Sequence, residues 1–344
     1  MAHRLVETKD LTLPITAIRR AELYADIDGQ RRLLQADAAT DRHLRAALKI
    51  IAGNVSASSV TAYLPWICSY WQLAMARQAA LDDQALFRGW IQALVTGKYA
   101  LKKSSIHLAV SAINALCAVT KKKPPKDDSE TKAWLRGVYF REKRPVEQAA
   151  PILAEDLREL VSQARARDDL RGLRDAALLL VGWHCALRRS EVCRLAVGDI
   201  KKAPRSKHYL VTVRDSKTDK NHAGQTVPLY RTADPALDPI AALDEWLSES
   251  GITSGSIFRS IGRFGNVSAT PLVPRSIAHI LDQYVMPKSG ISAHSLRSGF
   301  ITESGMQGKS LPDIMVTSRH GSMEVARSYL RKVDVVGQGV GPLV

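Results

Sequence analysis

The sequence predicts a mainly α-helical protein with a small antiparallel β-sheet in its C-terminal domain. Apolar residues recur at three- and four-residue spacing along most of the chain, as on one face of a helix. Alternating apolar and polar residues, which are typical of strands, occur between about residues 197 and 230 around a polar turn. At roughly 150 residues to a domain, the 344 residues predict two domains.

The charge balance favours a polyanionic partner. The chain holds 49 Lys and Arg against 34 Asp and Glu, which gives a formal net charge of +15. Because a cation that meets a phosphate releases condensed counterions, such an excess favours nucleic acid. On charge alone, a basic protein that binds no polyanion is an equally good interpretation.

Hydropathy and cysteine usage indicate the compartment. No apolar run approaches the roughly 20 residues that span a bilayer, and the N-terminus lacks an apolar signal region. We therefore expect a cytoplasmic protein with no membrane partner. The cysteines lie in apolar surroundings and form no C-x-x-C pair, which predicts buried thiols instead of disulfides or a zinc site. They are Cys68, Cys117, Cys185 and Cys193.

The first domain is predicted at residues 38–142, after a partly ordered extension at 1–37. A cluster of good N-cap residues, Ser56–Ser59, opens its second helix, and Pro65 predicts a kink or a break inside that helix. The five expected helices lie at about 40–54, 56–75, 82–96, 106–117 and 129–141.

Cations and hydroxyls precede the fourth helix at 102–105. Free N–H groups at a helix N-terminus favour a phosphate there, and a plain capping cluster with solvated lysines is an equal alternative. Basic runs at 121–126 and 141–144 border a predicted linker at 143–151. Most charge runs are solvated surface, although a basic linker could lie along a duplex backbone.

The second domain is predicted at 152–344. It opens with an amphipathic helix near 153–160 and a nearly all-apolar helix at 175–187. Arg188 and Glu191 follow three residues apart, either as a simple ion pair or as an arginine whose place beside a core calls for an anion. Lys217 falls near the tip of the predicted hairpin, where an isolated lysine is ordinarily surface. Strand patterns lie at 197–200, 208–213 and 225–230, and helices at 240–248 and 275–285.

Polar residues near the C-terminus predict a phosphate site. His294 and Arg297 are three apart, a spacing that places both on one helix face, where they can converge on one anion. His320 follows, and nine residues later Tyr329 stands in Arg-Ser-Tyr-Leu-Arg, between cations. By contrast, His184 and His279 fall in apolar helices and are interpreted as core histidines with satisfied hydrogen bonds.

Taken in order, these segments resemble the tyrosine recombinase, or phage integrase, family. Leu187-Arg-Arg-Ser-Glu191 is similar to its Leu-Arg-x-Ser-Glu segment, and His294-Ser-Leu-Arg297 to its His-x-x-Arg box. Lys217 in Asp-Ser-Lys-Thr matches its hairpin lysine, and His320 with Tyr329 matches its His-to-Tyr spacing. Each piece alone is a weak signal, but five pieces in this order are a strong one. The likeness extends to the first domain, whose Lys-Lys-Ser-Ser-Ile-His-Leu segment resembles the core-binding domain of Cre-like members, and it spans roughly 38–335.

The resemblance implies a catalytic set that suits metal-free cleavage of a phosphodiester, which requires a nucleophile, cations and an acid. Tyr329 is the expected nucleophile, which would form a covalent phosphotyrosine. Arg188 and Arg297 would clamp the non-bridging oxygens with their forked donors. Lys217 would protonate the departing 5′-oxygen, and His294 would assist proton transfer at the phenol.

Two further residues complete this set. His320 would donate a hydrogen bond to the phosphate, and Glu191 would orient the arginines and histidines. Nothing in the sequence resembles a Walker loop or a carboxylate metal cluster, so we expect no metal and no cofactor.

The expected partner is a double-stranded DNA target site, and the two domains are expected to close around it as a C-shaped clamp. The resemblance implies a homotetramer on two sites, with a dimer on each site, strand exchange through a Holliday intermediate, and a nucleoid-associated protein. The residues predicted to contact DNA are Lys102, Lys103, Ser104, Ser105, His107, Lys121, Lys122, Lys123, Arg141, Lys143 and Arg144.

Two alternatives stay open. A type IB topoisomerase-like enzyme that nicks and rejoins DNA would use the same catalytic set. A DNA-binding relative without chemistry is the other, and the complete residue set argues against it.

Overall fold

The computed structural model describes residues 42–96, 100–142, 149–214, 224–284, 290–292 and 294–330. The chain divides into two units, with the division between residues 146 and 147. The predicted extension at 1–37 and most of the predicted linker lie outside the described residues. The domain limits at 38–142 and 152–344 and the C-shaped clamp stay predictions.

The described part of the first unit is α-helical, with one short 3-10 turn at Pro125–Asp127. Its core is built from the apolar faces of these helices and contains Tyr70, Phe87 and Trp90 in mutual contact. Cys68 and Cys117 are buried there, as predicted. The helices are α1 Arg42–Asn54, α2 Ala57–Ala76, α3 Gln84–Thr96, α4 Lys103–Val119 and α5 Ser129–Arg141.

Helix α2 begins as its sequence predicts and runs through its proline. Ser56 is the N-cap, and its Oγ accepts a hydrogen bond from the Ser59 N–H. The helix continues over 20 residues with Pro65 inside it, so the alternative of a break is wrong. An interior proline costs about 3 kcal/mol, whereas each large apolar side chain that is fully buried gains about 1.5–3 kcal/mol. Burial of Leu64, Ile67 and Trp71 on both sides of Pro65 therefore outweighs the lost hydrogen bond.

Helix α4 begins earlier than expected, at Lys103. Lys102 is its N-cap, and its side chain makes no capping hydrogen bond. The capping part of the alternative for 102–105 is therefore wrong, because the cap position is held by a lysine, which cannot accept a hydrogen bond from a backbone N–H. Lys102 is exposed to solvent, as that alternative expects.

The second unit packs helices around two small antiparallel sheets. Strands β1, β2 and β3 pair antiparallel in sequence order, and the patterns at 208–213 and 225–230 mark β2 and β3. The strand predicted at 197–200 is wrong in its position: Val197–Asp199 is a 3-10 turn, in which the Asp199 carboxylate accepts the Ala196 N–H at 3.0 Å, and β1 begins only at Ile200. Strands β4 and β5 form a second hairpin, which the sequence analysis missed. The strands are β1 Ile200–Lys202, β2 Tyr209–Val213, β3 Gln225–Leu229, β4 Arg259–Ile261 and β5 Val267–Pro271. The helices are α6 Ala154–Arg165, α7 Leu170–His184, α8 Arg189–Arg194, α9 Pro239–Ser250, α10 Pro274–Leu281, α11 Ser295–Met306, α12 Leu311–Ser318 and α13 Met323–Leu330.

Helix α7 forms the centre of the second core, and its limits correct the prediction of 175–187. It begins at Leu170, because the Asp169 carboxylate caps it by accepting the Gly172 N–H at 2.7 Å. It ends at His184, and Ala186 then takes a left-handed conformation with φ 46°. The chain therefore leaves the helix before Arg188, which becomes the N-cap of α8.

A glycine allows helix α11 to pack close to the residues that precede α6. A Cβ on Gly299 would lie 1.8 Å from the Ile152 carbonyl oxygen, a distance that no side chain tolerates. Glycine thus sets the approach of the helix that carries Arg297.

The burial of two histidines and two cysteines outside the predicted catalytic set can be compared with the predictions made for them. Cys185 and Cys193 are buried in this core, as predicted. His279 is exposed on α10, so its interpretation as a core residue is wrong. His184 is enclosed, and burial lowers its pKa to about 4. A hydrogen bond with the Leu237 backbone opposes this shift, whereas Nε2 has no partner among the described residues, so the expected satisfaction of the ring is met only in part. No helix in the described ranges combines the length and apolar character of a membrane span.

Candidate active site

The second unit brings six of the seven predicted catalytic residues together. They come from three places along the chain: the α7–α8 junction, the start of α11, and the segment from α12 to α13. Lys217, the seventh, lies outside the described residues. The six are Arg188, Glu191, His294, Arg297, His320 and Tyr329.

Tyr329 is in hydrogen-bond contact with His294. The phenolic oxygen of Tyr329, on α13, lies 2.7 Å from His294 Nε2 at the start of α11. Although His294 keeps access to solvent, partial burial of its ring and the charges of Arg297 and Arg188 lower its pKa below the usual 6.5. The imidazole is therefore neutral at pH 7, and its Nε2 can accept the phenolic proton.

Arg297 lies behind this pair and is fully buried, at 0% exposure. Its Nη1 donates to the Ala186 carbonyl at 2.8 Å, and its Nη2 lies 3.2 Å from His320 Nε2. Burial and the neighbouring Arg188 charge lower its pKa to about 9, so the guanidinium stays charged at pH 7. Its Nε has no partner among the described residues.

The tautomer of His320 follows from its neighbours. Since a guanidinium can only donate, His320 Nε2 accepts from Arg297, and the ring proton is then on Nδ1. Nδ1 lies 3.0 Å from the Ser318 hydroxyl, which can accept it. Burial, followed by the charges of Arg297 and Arg188, lowers the pKa of His320 to about 3.

Glu191 is the anion partner of Arg188. Its Oε1 accepts from Arg188 Nη1 at 2.7 Å, and its Oε2 accepts the Arg188 backbone N–H at 2.8 Å. The carboxylate is buried, which by itself disfavours the charged form, but the charges of Arg319 and Arg188 and these hydrogen bonds outweigh burial and lower the pKa of Glu191. The pair thus stands as an ion pair at neutral pH.

Sequence reasoning missed Arg319, which is 5% exposed and belongs to the same network. Its Nη2 donates to Glu191 Oε2 at 2.7 Å, and its Nη1 to the Cys185 carbonyl at 3.0 Å. Nothing in the local pattern separates it from a surface arginine, because its burial depends on α7 and α8 more than a hundred residues earlier. Its place directly before His320 was the one available signal.

A cavity of about 550 Å³ opens beside the cluster. Arg188, Arg189 and His294 line it together with Ala278 of α10 and Asp282, the C-cap of that helix. Cations on one side of an open cavity make it suited to an anionic ligand. Within the described ranges, no group of three or more His, Cys, Asp or Glu side chains could hold a metal ion.

The predicted DNA contacts that the structure describes in the first unit lie at three places: the start of α4, the run that follows α4, and the end of α5. Lys103 and His107 lie on the first turns of α4, and the His107 ring stacks on Tyr139 with 3.9 Å between centroids. Lys103 Nζ lies 6.0 Å from the centre of the Tyr139 ring. The exposed run 121–123 follows the other end of α4, about 25 Å away for a helix of this length. Lys102 and Ser104 are exposed, Ser105 is half-buried, Arg141 is exposed at the end of α5, and Lys143 and Arg144 lie outside the described residues.

Three comparisons bear on what this chain is. Residues 152–334 match the model of the phage integrase family. The chain is 29% identical over 216 residues to an integrase/recombinase XerD homologue of Selenomonas ruminantium, covering 61% of this chain and 62% of that protein. It is 29% identical over 164 residues to tyrosine recombinase XerC of Myxococcus xanthus, covering 46% of this chain and 50% of that one. The chain thus spans less than two thirds of the length of these relatives.

Solved structures show the same fold. XerH site-specific recombinase bound to its difH substrate, in a pre-cleavage complex, matches with TM-score 0.57 at 14% identity, over 92% of this chain and 89% of that one. A lambda integrase dimer bound to a COC′ core site matches with TM-score 0.59 at 16% identity, over 85% of this chain and 77% of that one. The predicted fold class, mainly helical with small antiparallel sheets, is confirmed. Because the family model covers more than half of the chain, the chain belongs to the phage integrase family.

Proposed function

We propose that this protein is a site-specific DNA recombinase that cuts and rejoins duplex DNA through a covalent bond between Tyr329 and a 3′-phosphate. One observation carries the proposal: the 2.7 Å contact of the Tyr329 hydroxyl with a neutral His294, beside the cationic groups of Arg188 and Arg297. A phenol with a base on one side and guanidiniums on the other suits attack on a phosphodiester.

In the proposed cleavage step, one bond to phosphorus forms as another breaks, and each oxygen loses or gains one proton. The Tyr329 hydroxyl gives its proton to His294 Nε2 as its oxygen attacks phosphorus, and the bond from phosphorus to the 5′-oxygen breaks. The departing 5′-oxygen takes a proton from Lys217, a role that rests on the family resemblance. Rejoining is the reverse reaction, in which a 5′-hydroxyl attacks the phosphotyrosine. Since the covalent bond keeps the free energy of the broken one, no ATP is required.

The transition state carries extra negative charge on the non-bridging oxygens. Arg188 and Arg297 are the groups proposed to bind them, and Glu191 the group that orients Arg188. His320, whose Nε2 accepts from Arg297 in this arrangement, would donate to a non-bridging oxygen in its other tautomer, with the proton on Nε2. The cluster holds three guanidiniums, those of Arg188, Arg297 and Arg319, and the single carboxylate of Glu191. Arg188 and Arg319 pair with that carboxylate and Arg297 contacts His320, so the site keeps a net positive charge for the phosphate. We propose that these fixed charges take the place that metal ions hold in other phosphoryl-transfer enzymes.

The proposed partner is a double-stranded DNA site, bound by a dimer on each of two sites in a homotetramer, with exchange through a Holliday junction. The family and the structural relatives that are described as bound to DNA support the DNA partner. The tetramer and the Holliday junction are proposed from the family resemblance. A nucleoid-associated protein of the cytoplasm is proposed on the same grounds. A protein that relaxed supercoils without recombining two copies of its own site would instead be of the type IB topoisomerase kind.

The test uses nicked duplexes tiled across the DNA that flanks the gene. A covalent adduct that resists SDS is expected from the wild-type protein on one of these duplexes. The Tyr329→Phe variant, which keeps the ring and loses the oxygen, is expected to bind the same duplex and give no adduct. An undiminished adduct from Tyr329→Phe, or none from the wild type on any tile, would refute the mechanism.

A further inference from the structure

We propose that Arg319 is a positioning residue of the active site, which holds Glu191, and through it Arg188, in the geometry that cleavage requires. The inference rests on the proposed function, and it concerns a residue outside the predicted catalytic set. It is carried by the contacts of one buried side chain with three separate segments of the chain.

The first contact is the carboxylate of Glu191. Both of its oxygens are occupied: Oε1 by Arg188 Nη1, and Oε2 by the Arg188 N–H and by Arg319 Nη2 at 2.7 Å. A carboxylate on one flexible side chain can rotate, but two donors on Oε2 fix its plane. Arg319 therefore sets the direction in which Oε1 meets Arg188.

The second contact is the turn of residues 185–186, which directly follows α7 at the negative end of its dipole. Arg319 donates to the Cys185 carbonyl at 3.0 Å and to the Ala186 carbonyl at 3.3 Å. Arg297 donates to the same Ala186 carbonyl at 2.8 Å. Arg319 thereby fixes the junction from which Arg188 departs and links it to the second arginine of the site.

The third is its own backbone. Arg319 ends α12 in a left-handed conformation, φ 55°, with its N–H donating to the Met315 carbonyl at 2.8 Å. This turn directs the next residue, His320, towards Arg297. Glycine would hold this backbone with less strain, so the backbone alone gives no reason for an arginine. The side chain, with four acceptors on two other segments and its own, is what an arginine adds.

The experiment compares Arg319→Gly, which keeps the turn and removes the guanidinium, with the wild type on the duplex that gives an adduct. Adduct formation is measured at saturating DNA, DNA affinity is measured separately, and the Tm reports the fold. We expect unchanged affinity and a cleavage rate lowered between about 10- and 100-fold, because small displacements of catalytic groups cost this much. Arg319→Lys, which keeps a charge without the fork, should fall in between.

Two additions separate positioning from a general loss of stability. Methylguanidine, at concentrations that leave the Tm unchanged, should restore part of the Arg319→Gly rate by refilling the vacated site. Arg205→Gly is the matched control, because Arg205 is an exposed arginine at the same left-handed backbone angle, φ 54°, and it should cleave at the wild-type rate.

Wild-type cleavage by Arg319→Gly would overturn this inference and leave the proposed function standing. So would a loss of rate that only follows the folded fraction and that methylguanidine does not restore. If the wild type forms no adduct on any tile, the proposed function fails and this inference fails with it.

Discussion

Both units carry dense positive charge, but they hold it in opposite ways. On α4 of the first unit, Lys102 is exposed and Lys103 half-buried, and these are compact charges on mobile stems. In the second unit, Arg297 and Arg319 are buried, and most of their donors are bound to backbone carbonyls, His320 or Glu191. Exposed lysines attract a polyanion over a distance without fixing its position. Buried arginines, whose side chains are held by hydrogen bonds, keep their donors in a fixed geometry at one phosphate. The difference predicts that substitutions in the first unit change DNA affinity and those in the second change the rate.

The largest effect is expected from Arg297→Lys. Lysine keeps the charge but lacks the forked guanidinium that donates to the Ala186 carbonyl and to His320 at the same time. We expect the adduct rate at saturating DNA to fall about 10²- to 10³-fold, as when one preorganised donor to a transition-state oxygen is removed. DNA affinity should change little, and the exposed Arg205→Lys serves as control. If Arg297→Lys lowered only DNA affinity, the proposed contrast, affinity effects in the first unit and rate effects in the second, would be wrong.

The next effect is a pH dependence. His294 accepts a proton only when it is neutral, and its pKa lies below the usual 6.5. The cleavage rate should therefore stay level from neutral pH downward past 6.5 and decline only as the pH falls through the lowered pKa. At neutral pH, the cleavage rate of His294→Gln should be about 10²- to 10⁴-fold below that of the wild type. Because glutamine cannot titrate, this residual rate should show no decline at acid pH. An acid limb that persists in His294→Gln would assign it to another group.

A smaller effect is expected from Lys102→Gln. Losing one phosphate contact should weaken binding of all duplexes alike and reduce the slope of log affinity against log salt by about 0.9. The adduct rate at saturating DNA should stay at the wild-type value. Lys132→Gln on α5, an exposed lysine outside the predicted contact set, is the control for unspecific charge loss. A slope that does not change removes Lys102 from the interface.

The smallest effect concerns the stacked pair of His107 and Tyr139. An aromatic pair contributes about 0.5–1.5 kcal/mol beyond buried area, which corresponds to about 2- to 10-fold in an equilibrium. His107→Ala should lower DNA affinity within that range, and Tyr139→Phe, which preserves the stack, should not. Equal losses in both variants would point to the Tyr139 hydroxyl instead of the stack.

The clustering of six proposed catalytic residues was predictable because most of them stand in short motifs with fixed spacing, such as His294-Ser-Leu-Arg297. The family and the mainly helical fold class followed from the same motifs and from helical periodicity. The start of α7 was missed because Leu170-Arg-Gly-Leu-Arg174 mixes charge and glycine, and the cap at Asp169 outweighs that signal. Hairpin β4–β5 escaped because its strands are short, half or fully exposed, and one of them ends in Pro271.

Arg319 escaped for a more general reason. Its partners are 128 to 134 residues away in sequence, so no local pattern could report them. His279 was misplaced for a different reason: helix α10 buries Ile277, Ile280 and Leu281 and leaves His279, which stands among them in sequence, on its exposed face. Long-range contacts of single polar side chains are the part of the site that periodicity does not encode.

The Ala186 carbonyl oxygen accepts from two buried arginines, Arg297 and Arg319, and it is a main-chain atom. Every amino acid supplies this oxygen, so side-chain replacement at position 186 cannot delete it. A mutational scan at position 186 will instead measure how well each residue type tolerates a left-handed backbone, because φ is 46° there. Glycine should be tolerated, and valine or isoleucine, whose branched side chains oppose this angle, should not. A scan scored by side-chain chemistry would therefore overlook an atom on which two arginines depend.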